Sequence, residues 1–158
     1  MKKNLLVAQS GGPTAAINAT LAGVIGQAMK EEQIDQVYGA CYGIQGVLEQ
    51  KFVNLTEKVD TEEKLEKLKR TPAAALGSCR FKLNNIKEDD SQYQEIVDIL
   101  HKMNIGYFVY IGGNDSMDTV GKMSRYVKEH QMDVKVIGIP KTIDNDLVVT
   151  DHTPGFGS

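Results

Sequence analysis

The sequence contains no tryptophan, only two cysteines and four prolines, and no excess of positive charge. Cys41 and Cys79 form neither a Cys-x-x-Cys pair nor a metal-ligand spacing, which favours two reduced thiols. The formal charge of −3 argues against nucleic acid as a main partner, because no basic surplus exists to neutralise a phosphate backbone. Small phosphates need only local hydrogen-bond donors and stay compatible with this composition.

Long apolar runs are also missing. No run approaches the roughly 18–20 apolar residues of a membrane span. Lys2 and Lys3 imitate the basic start of a signal peptide, but the apolar run that follows ends at Ala8. That run is shorter than the roughly 7–15 residues of a signal-peptide core. We therefore predict a cytoplasmic protein with no membrane partner.

What the sequence does contain is an alternation of strand and helix patterns over 158 residues, enough for one domain. Short apolar runs predict strands at 4–9, 37–42, 106–111 and 134–139. Helical spacing of apolar residues predicts helices at 14–28, 57–70, 91–103 and 117–127. Residues 82–91 and 147–158 have no clear pattern. The alternation predicts an α/β fold, with a parallel sheet and helices on both faces.

Local sequence signals predict how two of these helices begin and which side of a third faces inward. Pro13 fits the first helical position, where its missing N–H costs nothing. Ser91 and Gln94 have the spacing of a capping box. The charged stretch 57–70 is predicted to be a solvated helix with Leu65 and Leu68 facing inward.

Three of the predicted strands end in loops rich in small and polar residues. Ligands of open parallel sheets bind beyond the carboxyl ends of the strands, so these loops are expected to converge. The first loop is 9–12, where Gly11 and Gly12 allow close approach of an anion to the start of a helix. It matches neither the dinucleotide nor the P-loop fingerprint. A plain strand-to-helix turn is the alternative.

The second loop, 112–116, has the same strand–Gly-Gly–helix form. Asp115 could simply cap the helix. A carboxylate beside a phosphate-binding turn is also where Mg²⁺ is held, since Mg²⁺ bridges one or two carboxylates and phosphate oxygens.

The third loop, 141–146, places Lys141, Thr142, Asp144 and Asp146 directly after a strand. One carboxylate can accept a proton from an attacking hydroxyl while the other holds metal. Lys141 can neutralise charge on a transferring phosphoryl group. An ordinary Asn-Asp turn is the alternative.

A fourth segment, 76–81, carries Arg80 after a Gly-Ser pair. The arginine fork can bond two phosphate oxygens at once. The alternative is a surface arginine in a loop.

Together the segments Ser10-Gly11-Gly12, Leu76 to Phe81, Ile111 to Ser116 and Lys141 to Asp146 resemble the phosphofructokinase family. The last segment, with Thr-Ile-Asp-Asn-Asp, is the most specific. The Gly-Gly loops alone are shared with NAD kinases, which lack the 141–146 loop. The resemblance covers nearly the whole chain and implies the Rossmann-like three-layer fold of the family's N-terminal domain. It also implies Mg²⁺-dependent phosphoryl transfer to the 1-hydroxyl of fructose 6-phosphate.

The resemblance also implies roles for individual residues. Asp144 is the base that takes the hydroxyl proton, and Thr142 and Asp144 contact the sugar phosphate. Lys141 assists catalysis, and Asp115 and Asp146 are the metal candidates. Asn114 stands where many members carry an aspartate of the Mg²⁺ site, which leaves the ligand set open. The implied donor-binding residues are Gly11, Gly12, Arg80, Gly113, Asp115 and Ser116.

Asp115 and Lys141 both stand where ATP-using members usually have glycine. Asp115 would place bulk and negative charge at the α-phosphate of ATP, and Lys141 adds a cation for the terminal donor phosphate. Both features resemble the pyrophosphate-dependent branch, with a reversible, glycolytic reaction that releases phosphate. ATP as donor, and a non-catalytic phosphate-binding module, are the alternatives.

Family members are much longer than this chain. We therefore expect residues 1–158 to be a truncated donor-binding domain whose sequence stops in mid-domain at Pro154 to Ser158. The acceptor domain, with the segments that bind the sugar 6-phosphate, would be absent. The full-length enzyme is implied to be a homo-oligomer.

Overall fold

A five-stranded sheet forms the centre of the computed structural model, which describes residues 1–154. The strands are β1 (Lys3–Gln9), β2 (Ile34–Ala40), β3 (Phe52–Asn54), β4 (Ile105–Gly112) and β5 (Lys135–Pro140). Their spatial order is β3-β2-β1-β4-β5. All neighbours are parallel except β3, which runs antiparallel to β2 with Tyr38 opposite Asn54.

Six helices cover the two faces of this sheet. They are α1 (Ala15–Ala28), α2 (Gly43–Leu48), α3 (Leu55–Lys58), α4 (Glu62–Arg70), α5 (Ser91–Lys102) and α6 (Asn114–Glu129). One core lies under α2, α5 and α6, the other under α1, α3 and α4. The predicted α/β class with helices on both faces is confirmed.

Strand β1 shows how the sequence serves both cores. Leu6 and Ala8 lie in the core under α5 and α6, whereas Leu5 and Val7 lie in the core under α1. Successive side chains of a strand point to opposite faces, so a continuous apolar run indicates a strand buried on both sides.

The order of the strands reverses at β1 and β4. After β1 the chain enters α1 on one face, and after β4 it enters α6 on the other. The two connections diverge at the carboxyl edge and leave a crevice between them. Such a reversal is the usual ligand site of an open α/β sheet.

The second predicted strand, 37–42, was placed too late. The strand occupies Ile34–Ala40, and Tyr42 has a left-handed backbone (φ 64°) that starts α2. Both α2 and the antiparallel edge strand β3 were missed. They have six and three residues, too few for a period to emerge from the sequence.

The helix predicted at 57–70 is two helices. The Thr61 hydroxyl accepts a hydrogen bond from the Lys64 backbone N–H and so starts α4 afresh after the break at Val59. Leu65 and Leu68 are half-buried against the α1 core, as predicted.

Helix α5 begins at Ser91, as predicted, but two predicted details of helix starts are wrong. Helix α1 begins at Ala15 because Thr14 has the extended backbone of an N-cap, so Pro13 precedes the helix. Helix α5 has Asp90 rather than Ser91 as its N-cap, and the Ser91 backbone N–H bonds the Asp89 carboxylate. Gln94 turns away and donates to Asp98 instead of closing a capping box.

Residues 82–90 and 147–154 have no regular structure, as predicted, while 155–158 lie outside the described residues. The described part of the chain contains no helix long and apolar enough to cross a membrane.

Candidate functional site

The four predicted segments meet at the carboxyl edge of the sheet around two adjoining cavities. The larger, of about 380 Å³, is lined by residues 10–12, 79–81 and 113–116. The smaller, of about 120 Å³, is lined by Gly113, Asn114, residues 141–144 and Asp146. Gly113 and Asn114 belong to both. The expected convergence of strand-end loops is therefore present.

The loop after β1 approaches the loop after β4 closely. Gly11 has a left-handed backbone (φ +80°), and a Cβ there would lie 3.4 Å from the Gly113 backbone nitrogen. A side chain at this position would strain the backbone of the turn and crowd the Gly113 loop. Gly11 and Gly12 therefore place bare backbone beside the start of α1, where helix N–H groups favour an anion.

Two buried amides hold the segment 71–81 over this edge. The Gln9 side-chain oxygen accepts from the Leu76 backbone N–H at 2.9 Å, and the Asn18 side-chain oxygen accepts from the Ala75 N–H at 2.8 Å. Gln9 also donates to Asn18 and to the Ile17 carbonyl. Both amide side chains are fully buried, so these bonds satisfy groups that no water can reach.

Two serines complete the attachment. The Ser10 hydroxyl donates to the Cys79 carbonyl at 3.1 Å, and the Ser78 hydroxyl donates to the Gly11 carbonyl. The exposed Arg80 side chain starts from this fixed backbone and lines the larger cavity. Sequence reasoning did not identify Ser10 and Ser78 as positioning residues, because their bonds join positions 69 and 67 residues apart.

Tyr110 lies beneath the larger cavity and was also missed. Its hydroxyl accepts from the Ile44 backbone N–H at 3.2 Å and bonds the Ser10 and Cys79 side chains. Burial raises the pKa of Tyr110 to about 12. In the sequence it is one aromatic residue of a strand-like run, and only the fold brings it under three loops.

The Gly-Gly turn after β4 is tight because α6 starts immediately. Gly113 is the N-cap of α6, and a Cβ on Gly112 would overlap the Ser116 side chain. Ser116 is almost fully buried and still contributes to the cavity wall. Asp115 lies in the first turn and caps nothing, so the plain-cap alternative is wrong.

Asp115 points to the rim of the larger cavity. Its carboxylate Oδ1 lies 3.3 Å from the ammonium Nζ of Lys82, and both side chains are 73% exposed. Lys82 belongs to the stretch 82–91, where the sequence shows no pattern, so nothing in the sequence singled it out.

The loop after β5 folds back onto the first loop. The Lys141 backbone N–H donates to the Gly112 carbonyl at 2.7 Å, and its ammonium donates to the Gly12 carbonyl. Thr142 organises the turn: its hydroxyl accepts from the Asp144 backbone N–H and donates to the Asp146 carboxylate at 3.0 Å. Asp144 is left exposed on the wall of the smaller cavity.

The metal candidates, Asp115 and Asp146, are carboxylates on the walls of the two cavities. The described residues contain no group of three or more His, Cys, Asp or Glu side chains able to hold a metal ion. Mg²⁺ does not need such a group, because it binds one or two carboxylates together with substrate phosphates and water. Asp146 on the smaller cavity and Asp115 on the larger one both remain candidates for that role, with Asp146 bonded by Thr142 and Asp115 paired with Lys82.

The chain is similar to a family of known proteins over almost its whole length. The family model described as phosphofructokinase matches residues 4–158. The chain is 46% identical over 157 residues to a pyrophosphate–fructose 6-phosphate 1-phosphotransferase of Rhodospirillum rubrum, and 44% identical over 155 residues to one of Xanthomonas campestris. These matches cover 99% and 98% of this chain but 37% and 36% of the relatives.

A solved structure has the same fold. The pyrophosphate-dependent phosphofructokinase of Nitrosospira multiformis superposes with a TM-score of 0.88 at 39% identity. The match covers 99% of this chain and 38% of that one. The chain thus spans little more than a third of the length of the proteins that it matches.

Proposed function

This chain belongs to the phosphofructokinase family, and we propose that it is the donor-binding domain of a pyrophosphate-dependent 6-phosphofructokinase. The reaction moves a phosphoryl group from pyrophosphate to the 1-hydroxyl of fructose 6-phosphate, giving fructose 1,6-bisphosphate and phosphate. One observation carries the proposal: Asp115 and Lys141, the two residues that resemble the pyrophosphate-dependent branch, lie on the adjoining cavities that the Gly-Gly loops form.

The donor is held by backbone and by one arginine. Gly11, Gly12 and Gly113 offer unshielded backbone at the starts of α1 and α6, where free N–H groups and the helix dipoles favour phosphate oxygens. Arg80 can bond two oxygens with its fork. Ser116, buried at the base of the α6 turn, fixes the floor of this cradle.

Transfer itself takes place at the smaller cavity. The 1-hydroxyl oxygen forms a bond to the nearer phosphorus of pyrophosphate while the bridging P–O bond breaks. The hydroxyl proton goes to the Asp144 carboxylate, and the bridging oxygen leaves with inorganic phosphate. Lys141 offsets the charge on the transferring phosphoryl group. In the reverse direction Asp144 returns its proton to the sugar oxygen.

The turn formed by residues 141–146 positions the base. The Thr142 hydroxyl bonds both the backbone N–H of Asp144 and the carboxylate of Asp146, so it ties the Asp144 backbone to the Asp146 side chain. We propose that Asp146 holds Mg²⁺ together with the phosphates of the donor, and that Asp115 does not. The bound ion would neutralise phosphate charge during transfer.

Donor choice rests on Asp115. Its carboxylate stands at the rim of the larger cavity, where the rest of a nucleoside triphosphate has to pass. Pyrophosphate ends before that point. We therefore propose that Asp115 excludes ATP chiefly by the bulk of its side chain, which is selection by an obstacle to the competing ligand.

The sugar-phosphate-binding half is proposed to lie outside these 158 residues. The matched relatives are much longer than this chain, and a second subunit could complete the site, as expected for a homo-oligomer. The chain alone is then a donor binder with little or no turnover.

Calorimetry tests the proposal. The chain is titrated with pyrophosphate in the presence of Mg²⁺, then with ATP, then with fructose 6-phosphate. Heat with pyrophosphate and none with the sugar phosphate is the expected result. Equal binding of ATP and pyrophosphate would contradict the donor assignment, and the absence of pyrophosphate binding would contradict the role of donor domain. For the complete enzyme, pyrophosphate-driven formation of fructose 1,6-bisphosphate is measured directly.

A further inference from the structure

Lys82 is a cation beside the rim of the larger cavity, and the proposed reaction gives it no role. The Lys82 ammonium lies 3.3 Å from the Asp115 carboxylate. The two residues come from different segments, the strap that supplies Arg80 and Phe81 and the first turn of α6. Their meeting is a property of the fold and not of neighbouring positions in a helix.

The backbone of Lys82 is held at this rim by its neighbours. Phe81 packs against the core under α5 and α6, and Leu83 is buried in that core. With both flanking side chains packed toward that core, the exposed Lys82 side chain is directed to the outside, where its ammonium meets the cavity-lining Asp115.

Stability does not explain the pair. Both side chains are 73% exposed, and exposed ion pairs add little to the free energy of unfolding, because solvent screens them and two long side chains lose freedom. A contribution to ligand binding is the stronger explanation.

The charges around the two cavities show what Lys82 does. The cations Arg80, Lys82 and Lys141 balance the anions Asp115, Asp144 and Asp146. Without Lys82 the sum is −1, in a place that has to accept a multiply charged anion. Asp115 would then repel pyrophosphate as well as ATP.

We infer that Lys82 is a specificity-determining residue for the phosphate donor, which rests on the proposed function. Its ammonium cancels the repulsion that Asp115 exerts on a short diphosphate, while the Asp115 side chain still obstructs a longer nucleoside triphosphate. An ammonium carries three N–H donors, so Lys82 bonds Asp115 and an outer oxygen of pyrophosphate together. Asp115 thereby selects against ATP, whereas Lys82 maintains the affinity for pyrophosphate.

Lys64 provides a matched control. It pairs with Asp60 at 2.5 Å at the start of α4, both side chains are about half exposed, and neither residue lines either cavity. Lys64→Ala removes the same kind of exposed ion pair from outside the site. Lys82→Arg keeps the charge and tests for rescue.

Binding of pyrophosphate with Mg²⁺ to the chain is measured by calorimetry at two salt concentrations. We expect Lys82→Ala to raise the dissociation constant about tenfold, as for loss of one charged hydrogen bond. Lys82→Arg and Lys64→Ala should stay within about twofold of wild type, because one keeps the charge and the other lies off the site. The Lys82→Ala loss should shrink at high salt, where the charges are screened.

A second variant distinguishes two effects of Lys82: offsetting the charge of Asp115, and attracting pyrophosphate directly. In the Asp115→Asn background the repulsion is already gone, so Lys82→Ala should cost clearly less than in wild type. Unchanged circular dichroism and thermal midpoint confirm that each variant is folded. If wild type binds pyrophosphate but Lys82→Ala behaves like Lys64→Ala, the inference is wrong. If wild type binds no pyrophosphate, the proposed function itself fails.

Discussion

The Lys141 ammonium donates a hydrogen bond to the backbone carbonyl of Gly12, although 129 residues separate the two in sequence. The bond joins the loop after β5 to the loop after β1 across the mouth of the crevice. The cation is therefore already placed beside the backbone that is proposed to receive the donor. A donor phosphate needs only to take over this ammonium, with no rearrangement of the loops.

The donor can be switched by two substitutions. In the complete enzyme, Asp115→Gly combined with Lys141→Gly should reduce pyrophosphate-dependent kcat by roughly 10²–10³, the effect of losing one transition-state donor, and should admit ATP. Steady-state rates with each donor provide the measurement. Asp118→Ala with Lys122→Ala removes an equal charge pair from α6 and should change neither rate. Unaltered pyrophosphate use in the double glycine variant would contradict the assignment.

Asp144→Asn tests the proton acceptor. The amide keeps the shape of the side chain but cannot take a proton, so kcat should fall by about 10²–10⁴. Pyrophosphate affinity should be nearly unchanged, since the donor is held elsewhere. Asp151→Asn, which alters an exposed carboxylate beyond the 141–146 loop, should leave kcat near that of wild type. A loss confined to KM for pyrophosphate would assign Asp144 to donor binding instead.

Adjacent glycines provide a matched pair. Gly11 has φ +80°, and a Cβ there meets the Gly113 nitrogen at 3.4 Å, whereas a Cβ at Gly12 meets the Lys141 ammonium at 3.7 Å. Gly11→Ala should destabilise the fold by roughly 1–2 kcal/mol and weaken pyrophosphate binding. Gly12→Ala should have a smaller effect on urea unfolding. Equal effects of the two would show that the left-handed turn is not required.

Gln9→Ala tests the buried amide pair. It leaves the Leu76 N–H without its partner and breaks the bonds to Asn18 and Ile17. We expect a loss of about 2–3 kcal/mol in the free energy of unfolding, the cost of buried unsatisfied groups. Gln45→Ala, whose exposed amide bonds Glu49, should cost less than about 0.5 kcal/mol. A similarly small change for Gln9→Ala would contradict a supporting role.

Ionisation of Tyr110 should lower the free energy of unfolding at alkaline pH. Its hydroxyl ionises near pH 12 in the folded protein and near pH 10 when unfolded. Stability from this group is therefore intact below pH 10 and falls as the pH rises toward 12, because the unfolded chain loses the proton first. By pH 11 the loss is about 1.4 kcal/mol.

Tyr110→Phe should lack this component. Urea unfolding at pH 8 and pH 11 should show a smaller drop for the variant than for wild type by about 1.4 kcal/mol. A constant difference between the two proteins over the whole pH range would show that Tyr110 contributes only its hydrogen bonds.

Sequence patterns were informative where one local rule governs the structure. The continuous apolar run of β1 predicted a strand buried on both faces, and the Gly-Gly loops after β1 and β4 were expected at one edge because parallel strands end together. Short elements escaped prediction. β3 and α2 depend on contacts with β2 and α5 that a few residues cannot encode as a period.

The supporting contacts of the site could not be predicted for a different reason. Ser78, Tyr110 and Lys82 are ordinary residues in their own segments, and each acquires its partner from a distant part of the chain. Residue types suggest which groups perform chemistry, but the groups that position them are selected by the packing of loops. Gln9 and Asn18 belong to the same class.

The segment from Leu76 to Leu83 begins in the core under α1 and ends in the core under α5 and α6. It crosses the sheet edge between them and supplies one wall of the larger cavity. The cavity thus depends on the packing of both layers, and we expect a partly unfolded molecule to bind the proposed donor more weakly. Bound pyrophosphate should therefore slow hydrogen exchange throughout both layers, since its binding free energy opposes the opening of either one.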